Sequence, residues 1–190
     1  NNMGSVTVMH SEITANEAER AGGGIEDRNS VGTAIALTDV ILDDNIVLGT
    51  DATAPGNGGG LHVTGSGDVL ISGGTVSGNI AALEGGGLWN GLGMMTINNG
   101  AVIDSNTASG VALDDGGGGI FNNGGTLTID GTSSLVTISN NTADGTAGSG
   151  GGIFSIGGAV TVTSANLTFN AANRAGGGLQ RQRRRRGCTA

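Results

Sequence analysis

The chain has no lysine and no tyrosine, one proline, one cysteine and four aromatic residues among 190. Each shortage excludes something. Without lysine there is no phosphate loop ending in Gly-Lys, and no Gly-x-Ser-x-Gly elbow is present to raise a nucleophilic serine. The lone Cys188 can close no internal disulfide, so cysteine usage carries no news of compartment. His10 and His62 have no neighbouring His or Cys, which leaves zinc and copper without a ligand set. No apolar run approaches the ~18 residues of a membrane-spanning helix. The opening Asn1-Asn2-Met3 shows no signal-peptide pattern. Bulky apolar residues are too sparse for one large compact core.

Glycine is abundant instead, at 40 residues, and it clusters rather than falling at every third position, which excludes collagen. Asn, Thr, Ser and Asp fill much of the remainder and suit turns and polar stacks better than helices. A mean hydropathy of +0.05 with regularly placed aliphatics argues for order. The net charge of -8 is segregated. Setting aside Arg181, Arg183, Arg184, Arg185 and Arg186 makes the balance -13, so the body of the chain is strongly acidic and unsuited to nucleic acid.

Gly-Gly-Gly followed by Ile or Leu occurs six times, at 22–25, 58–61, 85–88, 117–120, 150–153 and 176–179. From last glycine to last glycine the steps are 36, 27, 32, 33 and 26 residues, the spacing of a repeat array. A second marker travels with the triplets: Asn16, Asn45, Asn79, Asn106, Asn141 and Asn170, each followed two residues later by Ala or Val. An aliphatic stands three residues before each Asn (Ile13, Leu42, Val76, Ile103, Ile138, Leu167). A short oxygen-bearing residue stands two before it (Thr14, Asp43, Ser77, Asp104, Ser139, Thr168).

Between triplet and Asn lies a segment alternating at period two, such as Met95-Thr96-Ile97 and Leu127-Thr128-Ile129. Its middle residue precedes the Asn by 9, 9, 9, 10, 13 and 9 residues. Short alternating segments in fixed order, with no helical period, predict an all-β fold: a right-handed, single-stranded parallel β-helix of about six coils, each of three short strands. Coils stacked at ~4.8 Å place the aliphatics in inward columns and the six marker asparagines in a structural ladder. Variation in length is concentrated after the Asn, where 46–57, 107–116 and 142–149 read as extra loops forming a ridge along one edge. The array spans 1–179 and reads as part of a longer one. Residues 180–190 read as an Arg-rich tail, disordered or a terminal artefact.

Candidate binding residues follow the glycine motif, where Glu26, His62, Trp89, Phe121, Phe154 and Gln180 alternate outward from the aliphatic. Trp89, Phe121 and Phe154, with His62, are expected to form an outward column for sugar rings or a protein partner, or a ladder packed under the loops. Candidate catalytic carboxylates, if the chain is an enzyme, are Asp43, Asp104 and Asp114. Asp43 and Asp104 share a column two coils apart, about 9.6 Å by strand spacing. That suits inverting glycoside hydrolysis, but turn capping accounts for both equally well. Gly65-Ser66-Gly67-Asp68 is a single weak match to part of a calcium-binding nonapeptide, so no cofactor is assigned. A threonine column (Thr7, Thr96, Thr128, Thr161) that could meet ice is interrupted by Ala36 and Leu70.

Ile138-Ser139-Asn140-Asn141-Thr142-Ala143 leading to Gly150-Gly151-Gly152-Ile153, and Ile103 to Ala108 leading to Gly117 to Ile120, resemble the repeat of chlamydial polymorphic outer membrane proteins. That repeat pairs Phe-x-x-Asn with Gly-Gly-Ala-aliphatic. This chain differs in having Gly for Ala, and Ile, Leu or Val for Phe. The likeness covers residues ~6 to 179 and extends to right-handed β-helix repeat proteins of bacterial surfaces. It implies an extracellular or outer-surface passenger or adhesin-like region, non-enzymatic, binding protein or carbohydrate through outer faces and loops. The rival expectation is a pectin lyase-like enzyme acting on polysaccharide.

Overall fold

A computed structural model describes residues 4–49 and 55–183, with the side chains of 29, 30, 33 and 34 excepted. It is all β, a parallel β-solenoid of about five turns. Two sheets hold six parallel strands each. Six rungs delimit five complete steps, which is why a count of coils from the motifs comes out one higher.

One coil shows the plan. Its glycine strand is Leu88–Asn90, its alternating strand Met94–Asn98, its marker strand Val102–Asp104 and its alanine strand Thr107–Ala108. The coil therefore has four short strands in three sheets rather than three strands. The added break has a local cause. The residue before each marker Asn is left-handed, at Ala15, Asp44, Gly78, Ser105, Asn140 and Phe169, with φ between 52° and 62°. That bend turns the chain sharply, so the two residues after each Asn start a sheet of their own. The first two residues of each expected loop, Ile46–Val47, Thr107–Ala108 and Thr142–Ala143, belong to that sheet. In Ile25–Thr38 and Leu61–Ser72 the glycine and alternating strands run together as one.

Period-two alternation sends every second side chain into the lumen. Leu61, Leu88, Ile120 and Ile153 stack from the glycine strands, with 0% exposure each. Leu42, Val76, Ile103 and Ile138 stack from the marker strands, and Ala81, Ala108 and Ala143 from the alanine strands. Outside, Thr96, Thr128 and Thr161 align in register with Leu70 and Ala36, so the threonine column is broken as read.

The glycines and the asparagines hold one another in place. Each marker Asn donates from its backbone N–H and its Nδ2 to Oδ1 of the next, at 2.9–3.1 Å along the whole column from Asn16 to Asn170. From Asn45 onward Nδ2 also reaches back to the carbonyl of the aliphatic one coil earlier, as Asn106 does to Val76 at 2.9 Å. The triplets face this ladder across the coil. Gly117 is left-handed at φ 66°. A Cβ on Gly118 would sit 2.4 Å from the Thr142 carbonyl oxygen, and one on Gly119 would sit 2.7 Å from the Gly152 oxygen and 3.0 Å from Asn141 Cγ. Alanine at that third position is therefore excluded here by the neighbouring coil.

The last strand, Leu179–Gln182, pairs in parallel with Ile153–Ile156. The boundary placed at 179 moves outward accordingly, because Gln180, Arg181 and Gln182 continue the sheet. Arg184, Arg185, Arg186 and Cys188 lie outside the described residues.

Replacing Asn106 by Ala removes the acceptor of two Asn79 donors and the donor that serves Val76 and Asn141. Buried groups left unpaired cost about 1–3 kcal/mol apiece, so Asn106→Ala should lose about 3 kcal/mol or more. Asn16→Ala, at an exposed end rung, should lose under about 1 kcal/mol. Urea unfolding midpoints measure both, and equal losses would contradict a cooperative ladder.

Candidate functional site

Glu26, His62, Trp89, Phe121, Phe154 and Gln180 do stand in one column, each paired in register with the next. The column is not an open strip. His62 and Phe121 are 1% exposed, Phe154 0% and Trp89 7%, and with Ile156 the three aromatics form a second apolar cluster outside the lumen. Ring centroids lie 4.6 Å apart from His62 to Trp89, 6.2 Å from Trp89 to Phe121 in a stacked pair, and 5.4 Å from Phe121 to Phe154 edge-on. Side chains that point away from the lumen are buried only if something covers them, and the loops at this corner do so.

The loops pair with one another as the coils do. Parallel bridges join Ala21 to Asn57, Gly116 to Ser149 and Ser149 to Ala175. Arg174 donates from Nε to the Ala147 carbonyl at 3.0 Å and from Nη2 to the Leu113 carbonyl at 2.6 Å, tying two loops together. Asp115 accepts the Ala112 N–H at 2.8 Å, closing the tip of one of them. Arg20, the counterpart of Arg174 near the other end, is ion-paired with Glu26 instead.

Beside the cluster the loops leave a cleft of about 540 Å³ lined by Glu84, Leu113, Asp114, Phe121, Asn123, Ile156, Gln182 and Arg183. Glu84 anchors its inner wall. Its Oε2 accepts from Trp89 Nε1 and from Asn57 Nδ2, each at 2.9 Å, and its backbone N–H donates to Asn57 Oδ1 at 3.2 Å. Burial pushes the Glu84 carboxyl up to about 7; the Trp89 hydrogen bond opposes the rise, and the negative charge of Asp115 and Asp114 adds to it. At the far end of the column burial, with the Arg20 charge as a smaller cause, lowers His62 to about 4. Its Nδ1 stands 3.9 Å from Glu26 Oε1.

The three candidate carboxylates do not converge. Asp114 lines the cleft, while Asp43 and Asp104 lie on the marker-strand sheet and do not reach it. Ser77 Oγ donates to Asp43. Asp104 accepts from Ser139 Oγ at 2.5 Å, Ser105 Oγ at 2.7 Å and Asn140 Nδ2 at 2.8 Å. Burial acts to raise Asp104, but those three hydrogen bonds together outweigh it and hold the carboxyl below its ordinary value. Both aspartates brace neighbouring coils. Asp68 of the nonapeptide-like stretch accepts the Met94 N–H at 2.9 Å. Among the described residues no group of three His, Cys, Asp or Glu could hold a metal.

Two features escaped sequence reading. Glu84 occupies the position before a triplet, where the other coils carry Ala21, Asn57, Gly116, Ser149 and Ala175; aligning that column would have shown its one charged member. A second buried ladder links Asn90 to Asn122 at 2.7 Å and Asn122 to Ser155 at 3.2 Å, closing the corner beside the aromatic column.

Glu84 keeps its proton in the folded chain between pH 4.5 and about 7, where an unfolded glutamate is ionised, so its contribution to stability is lost as pH rises through that window. His62 has the opposite sign: below 6.5 the unfolded residue binds a proton that the folded one refuses until about 4, so its cost grows as pH falls. The two offset each other from about pH 4.5 to 6.5. Glu84→Gln removes the first effect. Its stability relative to the parent chain should rise between pH 4.5 and 7 by on the order of 2 kcal/mol in urea titrations, and a difference independent of pH would refute the buried carboxyl.

Comparison with protein-family models, with curated proteins and with solved structures gives no match.

Proposed function

We propose that this chain is a non-enzymatic β-helix scaffold of an extracellular or outer-surface protein, and that it binds carbohydrate in the loop-side cleft. The cleft carries the reading. It joins carboxyl, amide and guanidinium groups of Glu84, Asp114, Asn123, Gln182 and Arg183 to the apolar surface of Phe121, Leu113 and Ile156. A sugar presents the same mixture, hydroxyls that both donate and accept around apolar C–H faces. Glu84, protonated near neutrality, could offer a donor where an ionised carboxylate could only accept. The surface location rests on the repeat likeness alone.

A second reading has one observation in its favour. Glu84, with its raised carboxyl, shares the cleft with Asp114, and a general acid beside a carboxylate base is the pairing that glycoside hydrolysis needs. The wide spread of the remaining carboxylates and the bracing roles of Asp43 and Asp104 give it no further support.

Calorimetric titration with a panel of neutral and acidic oligosaccharides tests both readings. At least one should bind, and Asp114→Ala and Arg183→Ala should each weaken it about tenfold, or ~1.4 kcal/mol. Binding by none, or binding indifferent to both substitutions, would end the carbohydrate reading. Release of reducing ends that disappears in Glu84→Gln would replace the scaffold with the enzyme.

A further inference from the structure

Between Gly110 and Gly116 the chain makes a small lobe, residues 111–114, all four of them exposed. Val111 is 63% exposed and Leu113 60%, so apolar burial is not what fixes the lobe. Its closure is polar. Ala112 donates its N–H to Asp115 Oδ2 at 2.8 Å, and Asp115 returns its N–H to the Ala112 carbonyl at 3.1 Å. Both ends are glycines anchored to the preceding coil. Gly110 donates to the Leu83 carbonyl at 3.1 Å, and Gly116, at φ 141°, accepts from the Gly85 N–H at 2.9 Å. An exposed segment with few buried apolar contacts, set between two glycines, opens locally before the rest of the fold does.

Leu113 and Asp114 line the cleft together with Glu84, so any movement of the lobe changes the width of the cleft. Two groups decide where the lobe rests. Arg174 Nη2 donates to the Leu113 carbonyl at 2.6 Å and straps the lobe down from two coils away. The Glu84 carboxyl acts from below. Its Oε2 is engaged by Trp89 and Asn57, both neutral donors. Asp114 and Asp115 are the charges that act on it from the lobe, and Arg183 stands elsewhere on the cleft wall. His62, beyond Trp89, is uncharged above about pH 4. A neutral Glu84 lets the two aspartates lie close. An ionised one, screened little by water, repels both.

We propose that the lobe 111–114 is a lid on the cleft, held shut by the Arg174 strap and released when Glu84 becomes charged. The closed lid keeps Glu84 buried beside Asp114 and Asp115 and so favours its proton. The open lid returns the carboxyl to water, where it ionises more readily. Proton binding and lid closure are thereby linked. Burial and the two aspartates hold the Glu84 carboxyl up at about 7, so the lid is shut below neutrality and opens as pH rises through it. The hydrogen bonds from Trp89 and Asn57 strengthen when Glu84 ionises, so the aromatic cluster stays in place while the lobe swings on Gly110 and Gly116. None of this depends on what the cleft binds.

Amide hydrogen exchange, corrected for its intrinsic dependence on pH, reads the lid at the Ala112 and Asp115 N–H groups. Their protection should fall at least about tenfold between about pH 5.5 and 8.5, while Gly118 and Gly119, inside the glycine corner, keep theirs. In Glu84→Gln, which retains an acceptor for Trp89 and Asn57 and carries no charge, protection should be the same at both pH values. Arg174→Gln should lower it at both, because the strap is gone. Protection in the parent chain that ignores pH overturns the lid, as does a fall that persists in Glu84→Gln. So does a fall shared equally by Gly118 and Gly119, or an Arg174→Gln chain as protected as the parent. If Glu84→Gln fails to fold, the carboxyl carbon shift of Glu84 in NMR keeps the test decisive. Its titration midpoint should coincide with that of lid opening, and midpoints more than about one pH unit apart overturn the proposal.

Discussion

Everything in this chain depends on how closely one coil can lie on the next. Parallel strands demand a rise of ~4.8 Å, and at the glycine corner that rise leaves no room for a side chain. A Cβ on Gly118 would fall 2.4 Å from the Thr142 carbonyl oxygen, and one on Gly119 would press on Asn141. The asparagine ladder works at the same spacing from the opposite wall, each amide bridging to the next at 2.9 Å. Glycine permits the close approach and asparagine gives it hydrogen-bonded order. Neither suffices alone: bare glycine would leave a flexible ribbon, and buried amides out of register would be unpaired and costly.

From that constraint the interior divides in two. The lumen is filled by aliphatics, chiefly Leu, Ile and Val with Met95. Three of the four aromatics, Trp89, Phe121 and Phe154, lie on the other side of the glycine strand and form their own cluster. That second core exists only because the loops roof it. The roof in turn is held by its own parallel bridges and by Arg174, whose reach to Leu113 and Ala147 spans two insertions. A solenoid is stabilised mainly by nearest-neighbour contacts. Here the aromatic stack and the loop staples add coupling across several coils on one face.

What was legible in the sequence was whatever recurred in every coil. Six triplets, six asparagines and their aliphatic partners specify strand order, register and ladder, because a repeating structure must solve the same packing problem at each rung. The left-handed bend before each Asn was hidden, since Ala, Asp, Gly, Ser, Asn and Phe share no chemistry that marks it. The aromatic column was placed correctly, and of the two surroundings open to it, a solvent-facing strip or a ladder under the loops, the buried rings match the second. Alternation tells which way Trp89 points, but whether solvent or a loop lies there depends on segments that do not repeat. For the same reason Asp114 could be singled out as a carboxylate, yet not separated from Asp43 and Asp104. Its place in the cleft comes from a loop fold that Arg174 and the Gly116–Ser149 bridge impose from other coils.

Glu84 shows how the scaffold and the cleft constrain each other. Its carboxyl is the polar end of the second core: Trp89 presents its indole N–H to it, so the largest side chain in the chain is buried without losing its donor. Removing the negative charge favours the roofed state, whereas ionisation would set a carboxylate in a low-dielectric wall beside Asp114 and Asp115. The same burial that stabilises the roof thus sets a carboxyl with a raised pKa beside Asp114, Asn123, Gln182 and Arg183 in the cleft. A ligand there would compete for, and be oriented by, hydrogen bonds that already hold the loops in place. On the proposed reading, affinity at this site would be tied to loop order, because Glu84 joins Trp89 of the aromatic stack to Asn57 in the adjacent loop.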